Sequence, residues 1–252
     1  MKKMFSIVGL ALMAGGLFAV DFDIKSIRQN YSEKKYDAVI TACEQSLAAV
    51  KQAEDQKAKR ELAYFLTIAK FRKGAYKTSA EAIDAMKATF ADLGFTGDYL
   101  FGEIFILQLF GDHSKVVPLA QASSIPSVRL RGALSLFALK RYGEAAEMAF
   151  STGLPIGYPK AVYYARVGGL SEKVYEYAMS GIQKGHIKHP ADVKRLVNYI
   201  LATDFTGTSI TDAKVKALLQ TVNRRYSRFL KPGVTTAWDE VIQTVRQTLE
   251  TY

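Results

Sequence analysis

The amino-acid sequence predicts an all-α fold, an α-solenoid of stacked helical hairpins with a helical cap at its C-terminal end. Two observations lead to this prediction. After Val20, apolar positions recur at spacings of three and four, which is the period of an amphipathic helix. In addition, a short signature, in which a helical run meets a polar or glycine break and a new helix opens, returns five times, as expected for repeated hairpins.

The five signatures share an aromatic or related residue that opens the second helix of a hairpin. These residues are Tyr36, Tyr76, His113, Tyr142 and Leu170. The steps between their positions in the chain are 40, 37, 29 and 28, which is in the range of two-helix repeats. Tyr76 and Tyr142 are therefore expected to pack at the junctions between helices. The repeat region as a whole is expected to form one body of about ten helices joined by short loops.

Two of these junctions resemble the tetratricopeptide repeat superfamily, whose units often carry Gly-x-Tyr and then an alanine three residues on. The matching segments are Lys73-Gly74-Ala75-Tyr76 and Tyr142-Gly143-Glu144-Ala145. The resemblance covers about residues 25 to 185 and is that of a degenerate relative, because two steps fall short of the family's repeat of about 34 residues and the only tryptophan is Trp238. It implies a solenoid whose concave surface binds a protein or peptide.

The segment 1–19 is predicted to be a secretory signal peptide. Lys2 and Lys3 precede an apolar stretch from Met4 to Phe18, which is shorter than the roughly 20 apolar residues of a membrane span. Cleavage is expected after Ala19. An uncleaved N-terminal anchor is the alternative, because Leu17 is a poorer residue than alanine three positions before the cut. We therefore expect a secreted or periplasmic protein of a bacterial cell envelope.

Cysteine usage agrees with the periplasm more than with a disulfide-rich extracellular environment. Cys43 is the only cysteine, so the chain forms no internal disulfide. It lies within a predicted helix. We therefore expect it to be a small buried apolar residue rather than a reactive thiol.

Within the predicted repeat region, residues 20–190, apolar stripes mark successive helices, and glycine or proline marks their ends. The stripes are Ile40, Cys43, Leu47 and Val50; then Leu62, Phe65, Leu66, Ile68 and Ala69; then Leu100, Ile104, Phe105, Leu107 and Leu109. The third stripe predicts a central buried helix, since it is too short to span a bilayer. The breaks are Gly94 and Gly97, Pro126, the run from Gly153 to Pro159, and Pro190.

Residues 191–252 are predicted to form the C-terminal helical cap, which shields the last apolar face of the solenoid. Three helices are expected there. Their apolar positions are Val193, Leu196, Val197 and Ile200; then Val215, Leu218, Leu219, Val222, Tyr226 and Phe229; then Trp238, Val241, Ile242, Val245 and Leu249. Thr235 or Thr236 is placed to cap the last helix, and Trp238 is expected to fill the centre of the cap.

The sequence carries no pattern that names a reaction. His186 and His189 have the spacing of a metal pair but no nearby cysteine or Glu-x-x-His partner, so they are expected to be solvated loop residues. Asp112, His113 and Ser114 are adjacent on one turn and cannot face each other as a catalytic triad does. We therefore predict no metal, no cofactor and no enzyme activity. An enzyme whose site is assembled from distant residues is a further alternative.

Positive charge is the remaining feature of the sequence that could indicate a binding site. Loss of Lys2 and Lys3 with the signal peptide lowers the formal net charge from +10 to +8. Five basic residues project onto roughly the opposite side from the apolar residues of the long penultimate helix: Lys214, Arg224, Arg225, Arg228 and Lys231. This face is a candidate site for an anionic glycan or lipid head group, and a solvated helix face is the alternative.

The leading functional hypothesis is a non-enzymatic adaptor that binds a protein or peptide of the cell envelope on its concave surface. Stacked hairpins expose an extended groove whose residues vary without disturbing the core. The second hypothesis is a binder of anionic envelope polymer or surface through the basic helix. A nucleic-acid partner is not expected, because the signal peptide directs the chain out of the cytosol.

Overall fold

The computed structural model describes residues 24–252, so the predicted signal peptide lies outside the described residues. Within this range the chain is all-helical, as predicted, with one isolated bridge between Lys231 and Val234 and no strand. The helices are α1 (Ile24–Ser32), α2 (Tyr36–Gln52), α3 (Gln56–Arg72), α4 (Ser79–Asp92), α5 (Leu100–Leu109), α6 (His113–Ala122), α7 (Pro126–Ala138), α8 (Tyr142–Ser151), α9 (Gly157–Val167), α10 (Ser171–Gln183), α11 (Pro190–Leu201), α12 (Asp212–Tyr226) and α13 (Ala237–Thr251). A short 3-10 helix, Ser227–Phe229, follows α12. None of the helices in the described part of the chain is long and apolar enough to cross a membrane.

The described residues divide into two compact units, 24–98 and 99–252. The first unit holds α1 to α4 and the second holds α5 to α13, and within each unit successive helices pack against one another, except that α12 packs on α10 and α13 rather than on α11. In the second unit α5 also contacts α7, α9 contacts α11, and α11 contacts α13, so the odd-numbered helices form one layer. This is the packing of a helical-repeat solenoid. The predicted cap belongs to the second unit, because α10 contacts both α11 and α12.

The five predicted hairpins, α1–α2 to α9–α10, share one turn geometry. Each turn contains a residue with positive φ: Lys34, Gly74, Gly111, Lys140 and Gly169. The N–H of that residue donates to a carbonyl three positions back, and the next N–H donates to a carbonyl five positions back. This is the Schellman arrangement, which satisfies the last carbonyls of a helix and reverses the chain. Three of the turns use glycine, which adopts positive φ without a steric penalty.

The second helices of the hairpins begin at or near the predicted residues. Three of them begin at the predicted residue itself: α2 at Tyr36, α6 at His113 and α8 at Tyr142. Helix α4 begins later, at Ser79, because Thr78 is its N-cap and accepts a hydrogen bond from the N–H of Glu81. Helix α10 begins at Ser171, so Leu170 is the residue before the helix. When the last step is counted to Ser171, it equals the step before it.

The residues expected to be structural occupy packing positions. Cys43 is fully buried, and burial raises the pKa of its thiol to about 12, so it stays protonated at neutral pH. Tyr76 and Tyr142 are both half-buried. The ring of Tyr142 packs on Phe137, with the ring centroids 5.3 Å apart, and so ties the start of α8 to the last turn of α7.

Helices α11 to α13 follow the predicted pattern, except that α12 is shorter than predicted. All four apolar positions predicted for α11 are buried. Helix α12 ends at Tyr226 instead of continuing through Phe229, because the chain tightens there into the 3-10 helix. Thr236 is the residue that caps α13, in a capping box with Asp239, and Trp238 stacks on Tyr226 with ring centroids 5.2 Å apart.

Candidate partner-binding groove

Aromatic side chains gather where the odd-numbered helices α7, α9 and α11 lie side by side. Phe137 of α7 stacks on Tyr164 of α9 with ring centroids 4.6 Å apart. The ring centroid of Tyr163 lies 5.4 Å from that of Phe137 and 5.8 Å from that of Tyr199 on α11. Such contacts hold the rings in fixed positions, so they present a rigid apolar surface at little entropic cost.

These rings line a groove of about 410 Å³, which lies within the second unit. Its lining residues are Leu134, Phe137, Ile156, Pro159, Lys160, Tyr163, Tyr164, Asp192, Arg195 and Tyr199. A second cavity of about 360 Å³ shares Leu134 and Lys160 with it and extends past Arg131 to Phe101 on α5. The two cavities are therefore neighbours along the odd-numbered layer. Their size suits a few side chains of a bound segment.

The groove leaves large apolar side chains in contact with solvent. Leu134 is 37 % exposed, Tyr163 37 % and Ile156 57 %. Single exposed apolar residues are common on protein surfaces, but a contiguous apolar patch with polar neighbours marks an interaction surface. The clustering of these three around one groove makes the groove a candidate binding face.

Positive charge outweighs negative charge along the groove. The guanidinium of Arg131 lies 5.2 Å from the ring centre of Phe101, and burial lowers its pKa from the usual value. Lys160 forms no ion pair with any described residue. Asp192, the one acidic lining residue named above, pairs with Arg195 at 3.4 Å. The groove therefore presents cations to a ligand without a matching set of acidic side chains.

One polar atom in the groove wall lacks a partner. Tyr164 is only 2 % exposed, and its hydroxyl is buried without a hydrogen-bond partner among the described residues. Burial, with a smaller contribution from Tyr163, raises its pKa to about 12, so the hydroxyl keeps its proton at neutral pH. A buried donor without an acceptor costs free energy, so this hydroxyl is a strained polar group beneath the groove surface.

The five predicted anion-binding residues are divided among several local environments. Lys214 lies in the first turn of α12 and its Nζ donates to the carbonyl oxygen of Ser209. Arg224 is exposed in the last turn. Arg225 is half-buried, and its Nη1 donates to the carbonyl oxygen of Gln183 at the end of α10.

The remaining two basic residues lie beyond α12. Arg228 is part of the 3-10 helix, and Lys231 is in the turn that follows. Because α12 ends at Tyr226, the five residues do not continue along one helix face. Arg224, Arg228 and Lys231 are close together in the chain at the C-terminal end of α12, and Lys214 is at its opposite end.

Each of the three histidines contacts another residue of the fold. Nδ1 of His113 lies 3.2 Å from Oγ of Ser135, and the ring of His186 stacks on Tyr158 with centroids 4.9 Å apart. His189 is the N-cap of α11 and accepts a hydrogen bond from the N–H of Ala191. Residues 24–252 contain no group of three or more His, Cys, Asp or Glu side chains that could hold a metal ion.

Sequence reasoning predicted a concave binding surface but not the residues of the groove. The available signal was the segment Ala161-Val162-Tyr163-Tyr164-Ala165, where two adjacent aromatic residues on one helix cannot both face the core. Recognising them as groove residues requires knowing that α7 and α11 lie on either side of α9, and this neighbourhood is a tertiary property.

The predicted resemblance to tetratricopeptide repeats has a coarser counterpart in the structure, which consists of helical hairpins joined by tight turns. The structure supports a helical-repeat architecture in these terms, within each compact unit. It does not assign the chain to a family. No protein family, curated protein or solved structure matches this chain.

Proposed function

We propose that this protein is a non-enzymatic adaptor that binds a segment of another protein in the groove between α7, α9 and α11. The observation that carries the proposal is the cluster of exposed Leu134, Ile156 and Tyr163 over a rigid floor of stacked rings. Apolar anchors in a preformed groove are the usual centre of a protein interface. The predicted signal peptide adds that the partner is a protein of the cell envelope.

Charge favours a partner segment with acidic residues next to an apolar one. Arg131 and Lys160 line the second cavity together with Leu134, and Leu134 and Lys160 line the first cavity as well. An apolar side chain seated against Leu134 and Tyr163 would bring neighbouring carboxylates to these cations. Complementary charge of this kind speeds association and selects among partners more than it adds affinity.

The proposal is tested by crosslinking from inside and outside the groove. A photoreactive amino acid replaces Leu134 in one variant and Leu139 in the other. Both positions are on or directly after α7 and are equally exposed, at 37 % and 38 %, but Leu139 does not line either cavity. We expect position 134, and not position 139, to crosslink one envelope protein reproducibly. Equal crosslinking at both positions, or none at 134, would contradict the proposal.

A further inference from the structure

The turn between the 3-10 helix and α13 exposes apolar side chains at the surface. Phe229 is 38 % exposed and Val234 is 54 % exposed. The turn is closed by the bridge between Lys231 and Val234, and Gly233 has a φ of 75°, in the left-handed region that favours glycine. The local backbone therefore defines the turn that carries Val234 and directly follows Phe229.

An aromatic stack supports this turn from below. The ring of Trp238 lies 5.2 Å from that of Tyr226 and 5.0 Å from that of Phe229, and both pairs are stacked nearly parallel. Tyr226 is almost fully buried, and Trp238 is half-buried. The stack runs from the core to the surface, so Phe229 is held in place before any ligand arrives.

Basic residues flank the exposed apolar residues in the chain. The guanidinium of Arg228 lies over the ring of Phe229, 4.9 Å from its centre. Arg224 and Lys231 are both exposed on the same stretch of chain. We call the set of Arg224, Arg228, Phe229, Lys231, Val234 and Trp238 the basic aromatic turn.

The neighbouring acidic side chains are engaged elsewhere. Asp239 accepts hydrogen bonds from the N–H and Oγ1 of Thr236 in the capping box, and these bonds lower its pKa from the usual value. Glu240 forms an ion pair with Lys194 of α11. Neither carboxylate is therefore directed to neutralising Arg228 or Lys231.

We propose that the basic aromatic turn is a docking site for an anionic lipid surface. Exposed apolar and aromatic groups flanked by Arg and Lys match the boundary between lipid head groups and acyl chains, where the rings enter the interface and the cations meet phosphates. A soluble anionic polymer would use the cations and could stack on Phe229, but it would leave the exposed aliphatic side chain of Val234 without an apolar partner. The pairing of exposed apolar and basic side chains on one short stretch of chain is what favours a lipid surface.

The proposal is tested with the predicted mature protein, residues 20–252, and phosphatidylcholine vesicles prepared with and without phosphatidylglycerol. Binding is expected only when the anionic lipid is present. It should weaken as the salt concentration rises, because the distance over which exposed charges attract one another falls to about 10 Å at 0.1 M ionic strength. Trp238 is the only tryptophan, so its emission should shift to shorter wavelength when the turn enters the interface. Combining Arg228→Glu with Lys231→Glu should reduce binding about tenfold or more.

A control variant with the same change in net charge distinguishes binding through the basic aromatic turn from general attraction between the protein and an anionic surface. Lys57→Glu combined with Lys216→Glu changes the net charge by the same amount, and the first of these lysines is on α3 and the second lies in the first half of α12. This control should bind within about twofold of the wild type. Equal losses in the two variants, unshifted Trp238 emission, or binding to dextran sulfate but not to vesicles would overturn the proposal. None of these results depends on the groove, so they leave the adaptor function untouched.

Discussion

Replacing Leu136 with alanine is expected to lower the free energy of unfolding by about 2 to 5 kcal/mol, because a fully buried leucine loses its contacts and leaves a cavity. Leu136 lies in the last turns of α7, and its carbonyl oxygen accepts the N–H of Arg141 in the turn to α8. The change therefore removes apolar packing at a hairpin junction while keeping the backbone hydrogen bond.

Leu139→Ala is the matched control, since this leucine is three residues further on and 38 % exposed. Its free energy of unfolding should change by no more than about 0.5 kcal/mol. Chemical denaturation followed by circular dichroism measures both values. Similar losses for Leu136→Ala and Leu139→Ala would mean that α7 does not pack with the orientation described above.

The second large effect is expected on binding. Replacing Leu134 with glutamine should weaken the affinity for the crosslinked partner about tenfold to a hundredfold, because an anchor at the centre of an interface carries a large share of the binding free energy. The unfolding free energy should stay close to that of the wild type, since the side chain is already exposed. Titration calorimetry with the purified partner measures the affinity.

Leu139→Gln makes the same chemical change outside the groove and should leave the affinity unchanged. If Leu134→Gln binds as tightly as the wild type, the groove is not the binding surface. If both variants lose affinity equally, the loss follows from a change in α7 as a whole and not from the groove contact.

The hairpin pattern could be predicted from the sequence because its cause is local. A glycine or a tolerated lysine at positive φ, followed by a residue that opens a helix, is enough to form each turn. The prediction was less accurate for the residues at which two of the second helices begin. At the second hairpin Thr78 caps α4 and delays its start beyond Tyr76, and before α10 the helix begins one residue after Leu170.

The groove could not be predicted residue by residue, and α7 shows why. Leu134 and Leu136 are both leucines on one helix, two positions apart, yet the first is exposed and the second fully buried. Their periodicity indicates a helix with apolar residues on much of its surface, but only the packing of neighbouring helices decides which leucine faces solvent.

The basic residues illustrate the same limit. Arg225 belongs to the predicted basic face, but its guanidinium reaches a backbone carbonyl of Gln183, 42 residues earlier in the chain. The end of α12 at Tyr226 removes Arg228 and Lys231 from the helix and places them beside the exposed Phe229. A helical projection of the sequence assumes a continuous helix and cannot reveal this arrangement.

The central claim, that a partner binds the groove of the odd-numbered helices, is tested most directly by amide hydrogen exchange of the protein alone and in complex with its partner. Exchange reports local opening along the backbone, so a bound segment should slow it where the segment lies. We predict slower exchange in α7, α9 and α11 on binding. Slowing confined to α12 and α13, with no change in those three helices, would contradict the claim.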